Sequence, residues 1–250
     1  MKKNVKFLIR YDGTRYFGWE HQPNTDMTIQ GKLENVLSRM AGLPEGETVT
    51  VIGAGRTDAG VHARGMVANA ILDTEMSAEE IRAYMEQYLP EDITVAEVKF
   101  CAERFHSRFK AIGKQYCYTC WIGEEKPVFE RRFVTVLPKV PDIDRMREAA
   151  AYLEGTHDFK AFCGNPRMKK STVRFIKSIE IRRSGNHLRF YYQGNGFLQH
   201  MVRILTGTLL EVGYGNMAPE DIPAVLESLD RQQAGPTMPP QGLTLLHVDY

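Results

Sequence analysis

Apolar residues recur with two different periods along the first hundred positions, and the change of period predicts the elements. From Val5 to Tyr11 they fall on every second residue, as in a half-buried strand. Thr28 then precedes Ile29, Leu33, Val36, Leu37 and Met40, which share one helical face that Gly42 closes. Val49 to Ile52 and Met66 to Leu72 read as strands. Ser77 and Glu80 form a capping box before Ile81, Tyr84, Met85, Tyr88 and Leu89; Pro90 stops that helix, and Ile93 to Val98 returns to strand. The order is βαββαβ.

The second half follows a similar plan. Strands are expected at Gln115 to Ile122 and Phe133 to Leu137, a helix from Ile143 to Leu153 ended by Gly155, and strands at Thr172 to Arg182 and Leu188 to Gln193. A long helix from Phe197 to Val212, a short one from Pro219 and a strand from Leu243 to Val248 complete it. The fold class is α+β: two ferredoxin-like halves, residues 1–104 and 105–250, each packing helices on a sheet. The two halves share architecture, not visible sequence identity.

The helix from Phe197 is apolar nearly all round, which implies burial. Arg203 is its only arginine or lysine. A cation there either snorkels to water or needs an anionic partner, for which Asp58 is the sharper candidate.

Composition describes an ordinary globular chain of 250 residues, 43% hydrophobic and 25% charged. The apolar run after Lys2 and Lys3 is too short for a signal-peptide core, and no stretch reaches membrane-spanning length, so a cytoplasmic location without membrane contact is expected. Cys101, Cys117, Cys120 and Cys163 are too few and too irregular for a disulfide scaffold; the lone Cys-x-x-Cys lies on a strand and reads as free thiols.

A net charge of +1 argues against an indiscriminate nucleic-acid binder. The distribution is less even. Arg167, Lys169, Lys170, Arg174, Lys177, Arg182, Arg183 and Arg189 face only Glu180 between Asn165 and Arg189, and could form a phosphate-facing stripe or a solvated face. Arg104, Arg108, Lys110 and Lys114 are interleaved with Phe105, Phe109, Tyr116 and Tyr118, a pattern suited to stacked bases or to a hydrophobic strand with a charged edge.

The chemistry concentrates between Gly53 and His62. Three glycines follow an apolar strand and carry one carboxylate, Asp58, beside the cation Arg56. A simple turn would explain the same residues. A dinucleotide fingerprint would need a glycine at Asp58, and no Gly-Lys-Ser or Gly-Lys-Thr is present for a phosphate loop. Asp58 and His62 could share a helix face as metal ligands, but no third ligand lies nearby.

Ordered motifs add a resemblance. Tyr11-Asp12-Gly13-Thr14 with Tyr16, Gly18 and Trp19; Gly55 to His62; Phe105 to Phe109; Lys114 to Tyr118; Gly155 to Phe159; and Gly196-Phe197 with Met201-Val202-Arg203 resemble the tRNA pseudouridine synthase A family over nearly the whole chain. Gly235-Pro236-Thr237 and Gly242-Leu243 are also similar. The resemblance implies a homodimer, a continuous antiparallel sheet with helices on one face, and a basic cleft for the tRNA anticodon arm, with uridines at positions 38–40 as targets and neither cofactor nor metal. It implies that Asp58 is the catalytic aspartate, Arg203 its partner, Tyr116 the residue that stacks on the target base, and Arg56 the arginine that assists nucleotide flipping. Arg108, Lys114, Lys169, Lys170 and Arg174 are the further RNA-binding candidates.

These residue types suit the reaction, in which the bond from ribose C1′ to uracil N1 breaks and the base rejoins through C5. A carboxylate can attack C1′ or remove a C2′ proton, and the sequence leaves both routes open. Five positions depart from the common family pattern: Glu20 and Met66 where Gln is usual, Asn69 for His, Glu86 for Asn, and Thr244 at an often aromatic place. They leave a related enzyme that modifies a different uridine as one alternative. A catalytically silent tRNA-binding scaffold remains a second, and a metal-dependent hydrolase built on Asp58 and His62 a third reading.

Overall fold

The computed structural model describes residues 1–250, which divide into two compact units: Met1–Ile112 with Leu245–Tyr250, and Gly113–Thr244. Both are mixed α+β. The division falls once after Ile112 and again inside the last strand, so most of that strand belongs to the first unit rather than closing the second half.

In the first unit β1 (Lys2–Tyr11), α1 (Ile29–Met40), β2 (Ile52–Gly53), β3 (His62–Asp73), α2 (Ala78–Tyr88) and β4 (Ile93–Cys101) follow the expected order. The strands lie as β4-β1-β3-β2, a ferredoxin-like order, with both long pairings antiparallel. Register sets the core: Val5, Phe7 and Ile9 oppose Ala70, Ala68 and Met66, and all six are buried. Ile29, Leu33, Leu37, Ile81 and Met85 cover that face, each side chain contributing about 1.5–3 kcal/mol by leaving water. The predicted caps form: Thr28 Oγ1 accepts from Gly31 N, and the Ser77–Glu80 box closes in both directions.

Residues 49–51 are not strand. They run extended, but Val49 N donates to Ser38 Oγ and Val51 N to Glu34 Oε1, so α1 side chains satisfy backbone that a ladder would otherwise use. β3 begins at His62, earlier than predicted, and its opening residues lie beside β10 (Leu243–Asp249). A Cβ on Gly65 would meet Leu246 O at 2.2 Å, so that approach requires glycine.

The second unit contains β5 (Gly113–Trp121), β6 (Thr135–Val136), α3 (Ile143–Ala151), β7 (Gly155–Asp158), β8 (Val173–Ser184), β9 (His187–Gly194), α4 (Met201–Gly213) and α5 (Ile222–Ser228). Its sheet runs β5-β9-β8-β7 with antiparallel neighbours. Tyr118, Cys120, Leu188, Phe190 and Tyr192 share one buried face. Three corrections apply. β7 is an additional strand, and β6 pairs parallel to β5 (Cys120 with Thr135), departing from the all-antiparallel expectation. α4 starts at Met201, not Phe197, because His200 takes a left-handed conformation (φ 60°) that breaks the apolar run. All four cysteines are free thiols.

Candidate active site

In the first unit the Asp58 loop is held by the segment that follows β1. Trp19 N donates to Thr57 O (3.1 Å), Gly60 N to Tyr16 O (3.2 Å), and the Tyr11 and Thr57 hydroxyls share a hydrogen bond of 2.8 Å. Packing leaves no room for alternatives: a Cβ on Gly13 would meet Val61 O at 2.0 Å, and one on Gly53 the Trp19 ring at 2.4 Å. Val61 N returns to Asp58 O (3.1 Å), making residues 58–61 a turn, with Gly60 at φ +76°. Thr57 is therefore buried while Asp58 stays partly exposed and Arg56 exposed.

The loop's own frame is tied down in turn. Asp12 N donates to Asp92 O, Tyr16 Oη donates to Asp92 Oδ1 (2.6 Å), and Arg15 Nε donates to Asp92 Oδ2 (2.7 Å). Burial by itself would raise the Asp92 carboxyl, but the Arg15 and Tyr16 bonds outweigh it and hold the group below its usual range. Burial, followed by that same bond to Asp92, pushes the Tyr16 phenol well above its ordinary value.

His62 is only 2% exposed and begins β3, so Asp58 and His62 do not share a helix face. Its Nδ1 lies 3.0 Å from Gly13 N and 3.1 Å from Asp12 Oδ1, and the ring serves this frame. No group of three or more His, Cys, Asp or Glu side chains is placed to hold a metal ion. Nor is any helix long and apolar enough to cross a membrane.

The departures at Met66, Asn69 and Glu86 have structural work. Met66 is in the core. Asn69 is buried, accepts from Ser107 N (2.9 Å) and Ser107 Oγ (2.7 Å), and donates to Asn4, whose amide reaches the carbonyls of Ala102, Glu103 and Phe105. The pair thus docks the Phe105–Phe109 motif, with Tyr250 Oη donating to Ser107 O. Glu86 accepts from Thr94 Oγ1 and Val95 N, tying α2 to β4. Glu20 is different: it forms an ion pair with Arg56. The position of Thr244 explains nothing further.

In the second unit Tyr116 packs edge-on against Phe197, with ring centroids 5.3 Å apart. Tyr118 belongs to the core, its hydroxyl bonded to Thr135 and Pro239 O, so it is unavailable to stack on a base. Arg203 is the one half-buried cation on α4, and Arg203 Nε donates to Met238 O at 2.6 Å. The irregular 235–238 segment is pressed onto this helix. Gly235 N donates to Thr208 Oγ1, and a Cβ on Gly207 would meet Pro236 O at 1.9 Å.

Of the remaining candidates, Arg108, Lys169 and Lys170 are exposed and Lys114 is partly so. Arg174 bends back to the carbonyls of Ser171 and Val173, and burial lowers its pKa. Arg182 is engaged by Glu180 and lies over the Tyr191 ring. Asp58 and Arg56 are thus brought together on one loop of the first unit, with Arg108 on its docked segment. Tyr116, Lys114, Arg203, Lys169, Lys170 and Arg174 belong to the second unit. Asp92, the 236–238 segment on Arg203 and the Glu20–Arg56 pair were not anticipated from the sequence; the Gly235-Pro236 motif was the available signal for the second, and Asp92 carried none.

A family profile described as tRNA pseudouridine synthase matches residues 8–110 and 149–250. The tRNA pseudouridine synthase A 2 of Clostridium perfringens is 42% identical over 248 residues, covering 99% of this chain and 100% of that protein. The tRNA pseudouridine synthase A of Bacillus sp. strain KSM-64 is 44% identical over 232 residues, 93% of each chain. The corresponding Bacillus anthracis protein, tRNA pseudouridine synthase A 2, is 40% identical over 247 residues, 99% of each.

Proposed function

This chain belongs to the tRNA pseudouridine synthase family, isomerases that convert uridine in tRNA to pseudouridine, and from that premise we propose that it acts in the anticodon stem-loop with Asp58 as the catalytic carboxylate. The observation that carries the proposal is the loop itself: Asp58 keeps solvent access on a turn whose neighbours are fixed by Trp19, Tyr11, Tyr16 and Gly13. Such a carboxylate is preorganised, which is what a group acting on a developing sugar cation requires.

In the proposed reaction the C1′–N1 bond breaks, the uracil turns, and C5 bonds to C1′. C5 then loses its proton and N1 gains one, so the step needs neither oxidant nor nucleotide triphosphate. Asp58 stabilises the electron-poor ribose by attack at C1′ or by taking a C2′ proton. Arg203 supplies its counter-charge, held in orientation by Met238 O. Tyr116, braced by Phe197, holds the detached base by stacking. Arg56 assists extrusion of the target nucleotide, because a stacked base must leave its helix before its glycosidic bond is reached. Arg108, Lys114, Lys169, Lys170 and Arg174 neutralise phosphates. The proposal includes a cytoplasmic homodimer.

Incubation with unmodified tRNA, followed by carbodiimide mapping, tests the reading. New pseudouridine in the anticodon arm is expected. Tight tRNA binding with no new pseudouridine would replace it with a silent RNA-binding scaffold, and modification elsewhere would move the target.

A further inference from the structure

We propose that Glu20 competes with RNA phosphate for Arg56, holding the guanidinium in an ion pair until tRNA displaces it; the inference rests on the reading that Arg56 meets RNA. The pair is built on rigid backbone. Trp19, beside Glu20, donates to Thr57 O, beside Arg56, so the two residues are registered across a hydrogen-bonded crossing. On its other flank Glu20 is fixed by Gln30, whose N donates to Trp19 O (2.9 Å) and whose Oε1 accepts from His21 N (2.9 Å). Trp19 is wedged against Gly53, which prevents this segment from sliding relative to the loop. The carboxylate is thereby placed against an exposed cation two residues before Asp58 on the same loop.

The charge arithmetic has a functional consequence. Paired with Glu20, Arg56 contributes no net charge to attraction of a polyanion, so nonspecific RNA gains little from it. A substrate held by the remaining contacts presents a phosphodiester that takes the guanidinium over. The side chains are 56% and 48% exposed, so the pair is weak enough to break on each turnover. Glu20 is in this account a positioning residue that acts through Arg56, and glutamine at this place would leave the arginine uncommitted.

The test is release of tritium from tRNA carrying 5-tritiated uridine, measured for the unaltered enzyme, Glu20→Gln, Arg56→Gln and the double variant over a range of salt. Glu20→Gln should lower KM by about two- to five-fold, the equivalent of one exposed ion pair, with a smaller change in kcat. It should also steepen the dependence of log KM on log salt by about one phosphate contact. Neither change should occur in the Arg56→Gln background. An unchanged KM, or the same fall in both backgrounds, overturns the proposal. If the unaltered enzyme releases no tritium, the synthase reading fails instead, and tRNA affinities of the same four proteins decide Glu20's part by the same comparison.

Discussion

Thr57 turns its hydroxyl inward to Tyr11 while Asp58, one residue on, keeps part of its surface in solvent. The spacing of Gly53, Gly55 and Gly60 made that loop legible in the sequence: Gly53 lies too close to the Trp19 ring for any Cβ, and Gly60 takes φ +76°. Met66 and Asn69 could not be placed from the sequence, because an unusual residue signals a changed environment without saying which sheet face it occupies. Both are buried, one in the core and one beneath the docked 105–109 segment. Asp92, which braces the loop's frame, carried no sequence signal because its partners are 76 and 77 residues away. Its depressed pKa gives a pH prediction. The folded state releases the Asp92 proton more readily than the unfolded chain, so its stabilisation is present above the unfolded value, about 3.9, and is lost as pH falls through the lower folded value. Thermal melts from pH 7 to pH 3 should show Asp92→Asn less stable near neutrality and less sensitive to acid. Equal pH slopes would remove Asp92 from this role.

Among the elements, α4 was recognisable from its apolar character on both sides, and its burial follows. Its start was not, since Phe197 and Leu198 fit helical spacing while His200 in the left-handed region forbids continuation. The residues before β2 failed similarly: apolar content suggested strand, but hydroxyl and carboxylate groups on α1 captured their amides. Arg203 Nε is held by Met238 O where the 235–238 segment meets α4, and Gly207 is the tightest point of that contact. Gly207→Ala should cost about 1–3 kcal/mol, because the methyl meets a backbone carbonyl that cannot rotate away. For a chain of this size each kcal/mol lowers Tm by about 2–4 °C. Turnover should fall further than folded fraction, since displacing Met238 removes the carbonyl that orients Arg203 Nε. Calorimetry with kcat measured below the melt separates the two, and unchanged kcat would detach the 235–238 segment from catalysis.

At the scale of the molecule, the chain's near-neutral net charge conceals its exposed cations. Lys169 and Lys170 lie on an exposed segment ahead of β8, whereas Arg174 is partly spent on ordering its own backbone. Replacing the two lysines with alanine should weaken tRNA binding and reduce its salt slope by up to about two phosphate contacts, with little effect on the melt. An unchanged slope, read by filter binding, would move the RNA footprint elsewhere. Light scattering should give twice the mass of one chain; a monomer would contradict the proposed assembly. The central claim is that Asp58 performs the chemistry on a site that other residues bind. Tritium release from 5-tritiated tRNA by Asp58→Ala, with tRNA affinity measured on the same preparation, tests it most directly. Release is expected to be abolished and affinity nearly intact, because the carboxylate meets the sugar and not the phosphates; turnover at the rate of the unaltered enzyme would contradict that role.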